Sequence, residues 1–282
     1  MILVTGASGY VGGRALRALL RQGLPAIGMA RHAPVEEPGG SAMRIADYGD
    51  PESLSQAFQG ISTLLLVSSD GDGRAMLRHH ANAIEAAVAG GVASIVFTSI
   101  VDIDVGSPFY FAPVYRDAER RLRDSGMAWT ILRCGLYSDL ILNDWIRPAL
   151  ASGSLSLPVG DGRVAPVPRD DVAQAAAAVA ASPGRHAGKI HELTGPLPLS
   201  FARMAEMAGK AFGRRLKFVP CPVADYLERS LATTQDPWPH AYSTLCRSIA
   251  EGRYEHATDT CEALTGRPAV DFEAFVRQAA RT

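Results

Sequence analysis

The 282-residue sequence predicts an α/β fold, with a doubly wound parallel sheet followed by a smaller and mainly helical lobe. The chain opens with an apolar segment, Ile2 to Val4, that passes through closely spaced glycines into a stretch with helical spacing of apolar residues. Further apolar segments alternate with helix-length segments, as expected for strands buried on both faces of a parallel sheet. After Pro148 the sequence becomes rich in turns. We therefore expect the sheet domain over residues 1–150 and a lobe over residues 151–282 that does not fold independently.

Strands and helices alternate through the first 150 residues, and their ends coincide with capping signals. Asp50 and Pro51 suit the start of a helix, and Gly90 with Gly91 suits the end of another. The predicted strands are Ile2–Val4, Pro25–Ala30, Thr63–Val67, Ser94–Thr98 and Ala128–Leu132. The predicted helices are Val11–Leu20, Ser53–Phe58, His79–Ala89 and Arg116–Ser125. This alternation predicts a Rossmann-type domain.

The second part of the chain has weaker signals. They predict an edge strand at Val164–Pro168, an alanine-rich helix from Asp170, a strand at Lys189–Thr194 and a helix at Ser200–Phe212 with Ser200 as its N-cap. The remainder is mostly helical in character. Because ligands of such folds lie beyond the carboxyl ends of the strands, we expect this lobe to shape a substrate pocket.

Composition agrees with an ordinary soluble enzyme, and the spacing of the cysteines with a cytoplasmic one. The net charge is −1 and hydrophobic residues make up 47% of the chain, so neither a nucleic-acid nor a membrane partner is expected. The fold signal begins at residue 2, which we interpret as leaving no room for a secretion signal. The four cysteines are far apart and the histidines form no zinc motif, so we expect reduced thiols and no metal.

The glycines after the first strand predict an anion-binding turn. Gly6, Gly9 and Gly12 have the spacing G-x-x-G-x-x-G, which differs from the G-x-G-x-x-G fingerprint of many dinucleotide sites. A strand, a glycine turn and a helix N-terminus direct free backbone N–H groups and the positive end of the helix dipole at one place. This arrangement favours a dinucleotide cofactor over a purely structural turn.

The end of the second predicted strand favours NADP(H) over NAD(H). An NAD site usually carries an acidic residue there, whereas this chain has Arg31 and His32 and no acid before Glu36. A guanidinium can bind a 2′-phosphate through paired charge-assisted hydrogen bonds. The alternative is a solvated arginine at the end of a strand.

Several motifs in order resemble one family, the NmrA-like atypical short-chain dehydrogenase/reductases, and within it the bacterial type 2 NAD(P)H:quinone oxidoreductases and triphenylmethane reductases. The motifs are Met1–Gly12, Ala46–Glu52, Leu64–Ser69, Phe97–Ile100, Leu132–Ser138, Gly160–Arg163 and Arg169–Ala173. The resemblance extends from residue 1 to about residue 200. It implies a soluble NADPH-binding protein that delivers hydride to a small, flat and conjugated acceptor.

The resemblance also implies roles for individual residues. The pyrophosphate turn corresponds to Gly6, Ser8, Gly9, Tyr10, Val11 and Gly12, and the 2′-phosphate contact to Arg31. The adenine is framed by Asp47 and Tyr48, the nicotinamide ribose by Ser68 and Ser69, and the mouth of the cofactor cleft by Leu132 to Tyr137, which includes Arg133. Ser99 corresponds to a position near the catalytic serine of the superfamily. Structural alternatives remain, because Tyr48 can pack under a turn and Ser68 and Ser69 can cap a helix.

One departure from the superfamily pattern limits the mechanism. The usual Tyr-x-x-x-Lys motif uses lysine to lower the pKa of the tyrosine, but Tyr115 is followed by Glu119. We expect a carboxylate there to raise the pKa of the phenol, which disfavours alcohol oxidation and suits reduction of a quinone. Ser99, Tyr115 and Tyr137 are the candidate catalytic residues. The aromatic candidates for the acceptor pocket are Tyr110, Tyr115, Tyr137 and Trp145.

Two functional classes follow from these observations. The first is a reductase that uses NADPH and a quinone-like or other conjugated acceptor. The second is a non-catalytic, NADP-binding redox sensor of the NmrA type, which the missing lysine supports equally. The sequence leaves open whether the protein is a monomer or a homodimer.

Overall fold

The computed structural model describes residues 1–32 and 40–281, which form two compact units. Of these described residues, the first unit contains those within 1–100, 114–133 and 170–191, and the second contains those within 101–113, 134–169 and 192–282. This division differs from the single boundary predicted at residue 150. The difference arises because the chain enters the second unit before that residue and returns to the first unit after it.

The main sheet contains seven strands among the described residues. They are β1 (Ile2–Val4), β2 (Ala26–Ala30), β3 (Met43–Ile45), β4 (Thr63–Leu66), β5 (Ser94–Ile100), β6 (Ala128–Cys134) and β9 (Lys189–Leu193). Their order is β3-β2-β1-β4-β5-β6-β9, and β1 pairs in parallel with both β2 and β4. Strand order therefore reverses between β1 and β4, and the predicted doubly wound fold is confirmed.

Short strands and helices complete both units. The short strands are β7 (Ser154–Leu155), β8 (Arg163–Val164), β10 (Leu199–Ser200) and β11 (Lys217–Phe218). The helices are α1 (Tyr10–Arg21), α2 (Pro51–Ala57), α3 (Gly73–Ala89), α4 (Ala112–Asp124), α5 (Ser138–Leu140), α6 (Arg147–Ser152), α7 (Arg169–Ala181), α8 (Phe201–Ala211), α9 (Val223–Leu231), α10 (Trp238–Ala250), α11 (Thr260–Thr265) and α12 (Phe272–Ala279). A π-helical turn covers Ile141–Ile146 and a 3₁₀ turn covers Pro183–Arg185.

Several elements differ from the sequence prediction. The edge strand predicted at Val164–Pro168 is the two-residue β8 (Arg163–Val164), because Pro166 and Pro168 cannot donate hydrogen bonds to a neighbouring strand. Helix α3 begins at Gly73, before the predicted His79, because the Asp72 carboxylate caps it by accepting a hydrogen bond from the Ala75 N–H at 2.8 Å. Strand β3 was not predicted, since it is short and none of its three residues is fully buried.

Each unit has its own hydrophobic core. In the first unit, apolar side chains of the sheet such as Leu3, Leu64 and Phe97 pack with Ala83 of α3 and Leu122 of α4. Near-continuous apolar strands are what a parallel sheet covered on both faces requires. The core of the second unit centres on Trp145, Phe201, Leu245, Ile249 and Phe272. None of the helices in the described ranges is long and apolar enough to cross a membrane.

Candidate functional site

The glycine turn follows β1 in the first unit, at the strand-order reversal between β1 and β4. Gly6 has a φ of +59°, a left-handed conformation that favours glycine, and its carbonyl accepts a hydrogen bond from Gly9 N–H at 2.9 Å. A Cβ atom at Gly12 would lie 2.4 Å from the Gly6 carbonyl oxygen. Gly12 is therefore required for α1 to pack against the turn.

The N-terminus of α1 is suited to an anion. Gly9 occupies the N-cap position without any side-chain cap, and the first turn of α1 contains no acidic residue. Ser8, Gly9 and Tyr10 are exposed, and Val11 is buried beneath them. The partial positive charge of the helix end is thus not neutralised by a local carboxylate, which fits the predicted pyrophosphate contact.

The predicted adenosine contacts are exposed or partly exposed. Arg31 is exposed directly after β2, and Glu36, the first acid beyond it, lies outside the described residues. Asp47 is exposed, and its carboxylate accepts a hydrogen bond from the Gly49 N–H at 2.7 Å. Arg31 therefore remains a candidate phosphate ligand, while Asp47 stabilises the local turn.

Tyr48 is held at the strand-order reversal. Its hydroxyl lies 2.5 Å from Thr5 Oγ1 and 2.7 Å from the Val67 carbonyl oxygen, and Thr5 Oγ1 also accepts a hydrogen bond from the Val67 N–H at 2.9 Å. Burial raises the pKa of the Tyr48 phenol, so it remains a neutral donor. These contacts join the ends of β1 and β4, and they agree with the alternative that Tyr48 packs under a turn.

Three polar side chains of α3 hold the loops at this edge of the sheet, and none of them was predicted from the sequence. His80 Nε2 accepts a hydrogen bond from the Ser69 N–H at 3.2 Å, and His79 Nδ1 lies 3.2 Å from Ser69 Oγ. Asn82 donates a hydrogen bond to the Tyr48 carbonyl oxygen at 2.9 Å. The sequence signal that could have indicated them is the group of polar residues H-H-x-N within the predicted helix.

His80 is neutral in this environment. Its side chain is buried, with ring centroids 5.3 Å from Phe97 and 5.9 Å from Tyr115. Burial, together with the smaller effect of the neighbouring His79, lowers the pKa of His80 to about 4. Because Nε2 accepts the Ser69 hydrogen bond, the single proton of the neutral ring belongs on Nδ1.

The structure brings the predicted Tyr115 and Ser68 together. The Tyr115 hydroxyl donates a hydrogen bond to Ser68 Oγ at 3.3 Å, and the Ser68 N–H donates to Thr98 Oγ1 at 2.9 Å. Both serine and phenol are half-buried. A phenol, a serine and a threonine hydroxyl thus meet where β4 and β5 end, and Thr98 is a further residue that the sequence did not indicate.

Ser99 and Arg133 lie in a different cluster, around the fully buried carboxylate of Glu119. Ser99 Oγ donates to Glu119 Oε1 at 2.8 Å, and Arg133 binds both carboxylate oxygens at 3.0 and 2.9 Å. Arg123 adds a further hydrogen bond to Oε2 at 2.7 Å. Two guanidinium groups therefore compensate the charge of Glu119. The carboxylate was predicted to raise the pKa of the Tyr115 phenol, and this compensation removes the reason for that effect. The roles of Ser99 and Arg133 at the cofactor remain predictions, since their contacts here are internal.

The other aromatic candidates belong to the second unit. Tyr137 is half-buried, and the Arg169 guanidinium lies 5.1 Å from its ring centroid. Tyr110 is exposed, and its backbone N–H donates a hydrogen bond to Thr244 Oγ1 at 3.0 Å. Trp145 is buried within the core of that unit. Among the described residues, no group of three or more His, Cys, Asp or Glu side chains is arranged to hold a metal ion.

Comparison with known proteins supports a dinucleotide site. Residues 6–183 match the model of a family described as NAD(P)H-binding. Quinone oxidoreductase 2 from Escherichia coli (strain K12) is 35% identical over 232 residues, which cover 80% of this chain and 79% of that protein.

Two solved structures extend the similarity over nearly the whole chain. An NADPH-dependent quinone oxidoreductase from Escherichia coli complexed with NADPH has a TM-score of 0.90 and 30% identity, with 99% of each chain covered. A triphenylmethane reductase from Citrobacter sp. complexed with NADP(H) has a TM-score of 0.89 and 28% identity, covering 99% of this chain and 100% of that chain. The predicted family resemblance is confirmed.

Proposed function

Because this chain belongs to the NAD(P)H-binding family, we propose that it is an oxidoreductase that uses NADPH to reduce a quinone-like or other conjugated small molecule. The observation that carries this proposal is an exposed and uncapped glycine turn in a chain that is 35% identical to a quinone oxidoreductase. The same turn is the site where the bound dinucleotide would place its pyrophosphate. A redox-sensor function has no comparable observation in its favour.

The cofactor site would be assembled from residues of the first unit. The backbone N–H groups at the start of α1 would bind the pyrophosphate, and the exposed guanidinium of Arg31 would bind the 2′-phosphate. Ser68 and Ser69 would face the nicotinamide ribose, on a loop that His79 and His80 hold in place. The preference for NADPH over NADH would then reside mainly in Arg31.

The demand on the protein in the chemical step is small. NADPH, when bound, supplies the hydride, and the reduced quinone is a stabilised oxyanion that requires one proton. Tyr115 could supply that proton through its hydroxyl, which already donates to Ser68 Oγ at 3.3 Å, and water could supply it equally. Stacking and alignment of the acceptor would provide most of the rate enhancement.

Consumption of NADPH with a panel of quinones tests this function. We expect steady turnover with benzoquinones and naphthoquinones, and slow or no reduction of NADP⁺ by simple alcohols, because Tyr115 has no lysine partner four residues later. Cofactor binding is measured separately by calorimetry. NADPH binding without turnover of any conjugated acceptor would overturn the proposal and support the sensor alternative.

A further inference from the structure

A groove with a volume of about 680 Å³ lies within the second unit. Its volume is in the range of small-molecule sites, which are typically apolar with a few polar groups that orient the ligand. The π-helical turn, α6, β7 and its following residues, α9 and α10 all contribute to its lining. Trp145, one of the aromatic residues predicted for the acceptor pocket, lines the groove, whereas the predicted cofactor contacts and the Glu119 cluster do not belong to it.

One wall of the groove is aromatic. Trp238 and Tyr242 are half-buried, with ring centroids 5.9 Å apart and planes inclined by 39°. Behind them Trp145 is buried, with its ring centroid 6.2 Å from that of Tyr242. Aromatic side chains that line a groove favour a flat, conjugated ligand that can stack on them.

Neutral polar side chains, among them Ser156, Tyr226 and Thr234, also line the groove. The indole N–H of Trp145 is buried, within reach of the Tyr226 phenol. Burial raises the pKa of Tyr226, and the neighbouring Trp145 N–H offsets part of that rise.

Two lining residues, Asp144 and Arg229, carry charge, and each makes hydrogen bonds to neutral groups. The Asp144 carboxylate accepts a hydrogen bond from the Tyr242 hydroxyl at 3.0 Å. Arg229 is exposed, and its Nη2 donates to Ser156 Oγ at 3.3 Å and to Cys221 Sγ at 3.4 Å. Within the described residues Arg229 forms no ion pair, so its charge and its remaining donors are available to a ligand.

We propose that this groove binds flat aromatic compounds that carry an anionic oxygen group, such as an aryl carboxylate or sulfonate. The ring system stacks on Trp238 and Tyr242, and the anionic group binds Arg229. The proposal does not depend on the reductase function, because the groove and its charges are a property of the second unit by itself.

Calorimetric titration without cofactor tests the proposal with a matched pair of probes, naphthalene-2-carboxylate and the uncharged 2-naphthamide. We expect the parent protein to bind the carboxylate about tenfold more tightly, because a charged hydrogen bond replaces a neutral one. Arg229→Gln should abolish this preference and leave binding of the amide unchanged. Trp238→Leu should weaken both probes, and Arg203→Gln, which changes an exposed arginine of α8 outside the groove, should alter neither.

Tryptophan fluorescence locates the bound probe, since two of the three tryptophans of the chain line the groove. Quenching by the carboxylate should decrease in Trp238→Leu. Failure of the parent to bind either probe would overturn the proposal, as would a preference for the carboxylate that survives Arg229→Gln. Tighter binding of a naphthylmethylammonium probe would also overturn the proposal, because Asp144 and not Arg229 would then bind the charged group of the ligand. Because no NADPH is present, none of these results bears on the proposed reductase activity, which NADPH consumption tests separately.

Discussion

The glycine turn and the Glu119 cluster are both polar, and both lie in the first unit, yet they are built in opposite ways. The turn exposes backbone at the end of β1, with no side chain that caps α1 and no acid in its first turn. In the Glu119 cluster, a fully buried carboxylate accepts hydrogen bonds from Ser99, Arg123 and Arg133. The first region is prepared for a ligand, whereas the second satisfies its charges internally. Mutations in the turn should therefore reduce binding, and mutations in the cluster should reduce stability.

The largest expected effect is loss of cofactor binding in Gly9→Val. A Cβ atom at this position would lie 3.2 Å from the Gly6 carbonyl oxygen, a tight contact that a small backbone shift relieves, while the branched side chain would occupy the space of the pyrophosphate. We expect NADPH affinity to fall at least about a thousandfold with an unchanged circular dichroism spectrum. Gly12→Val is the contrasting variant, and it should reduce the yield of folded protein because its Cβ would lie 2.4 Å from a backbone oxygen. Normal NADPH binding by Gly9→Val would show that the turn is purely structural.

Glu119→Ala tests whether the Glu119 cluster contributes to stability and not to cofactor binding. It leaves two guanidinium groups and Ser99 without their acceptor, and we expect a loss of about 3–4 kcal/mol in the free energy of unfolding. Urea denaturation measures this loss, and NADPH titration should show little change in the folded variant. The control is Glu206→Ala, which removes an exposed ion pair with Arg203 and should leave the unfolding midpoint unchanged. A large fall in NADPH affinity for Glu119→Ala would instead connect this cluster with the cofactor.

His80 gives the first unit a dependence of stability on pH. Its pKa is lowered to about 4 by burial, so between this value and the ordinary 6.5 the unfolded chain binds a proton that the folded protein does not. Stability from this source is fully present above pH 6.5 and decreases as the pH falls toward 4, by up to about 3 kcal/mol. His80→Gln keeps an acceptor for the Ser69 N–H and should remove most of this slope. Urea denaturation at about pH 7 and about pH 4.5 compares the two proteins. Equal losses in the free energy of unfolding would contradict the assignment of this pH dependence to His80.

Arg31→Ala should have a moderate effect on the choice of cofactor. Since the guanidinium is expected to bind the 2′-phosphate, its removal should narrow the preference for NADPH over NADH by about 1–3 kcal/mol. Calorimetry of both cofactors with both proteins measures the change. Arg21→Ala, at the opposite end of α1 from the turn, serves as the control and should leave the ratio unaltered. Equal affinities for the two cofactors in the parent would contradict the assignment.

The smallest expected effect concerns Tyr115→Phe. The reduced quinone needs little help with its proton, so we expect the rate of hydride transfer to a simple benzoquinone to fall by less than about tenfold. Stopped-flow measurement of NADPH oxidation, with cofactor affinity determined in parallel, is the test. A drop of about a thousandfold with unchanged affinity would make the phenol an essential acid, with the Ser68 hydroxyl at 3.3 Å as the group to examine next.

The sequence by itself determined the strand, turn and helix at the N-terminus, the alternation of apolar strands with helices, and the basic residue after β2. These features are specified by contiguous residues: Ile2 to Val4 match β1, and the glycine spacing matches the turn. Local geometry and periodicity depend on neighbours in the chain, so they can be recognised without knowing the tertiary fold. The motifs that resemble the family are equally local.

Only the tertiary structure decided which side chains meet. His80 reaches Ser69 across 11 positions, Glu119 joins Ser99 across 20 and Arg133 across 14, and Tyr115 reaches Ser68 across 47. Such pairs depend on strand order and on the face that each helix presents to the sheet, and neither property is contained in the spacing of apolar residues. Glu119 combines both kinds of contact: Arg123 lies one turn further along α4, whereas Arg133 reaches the carboxylate from β6.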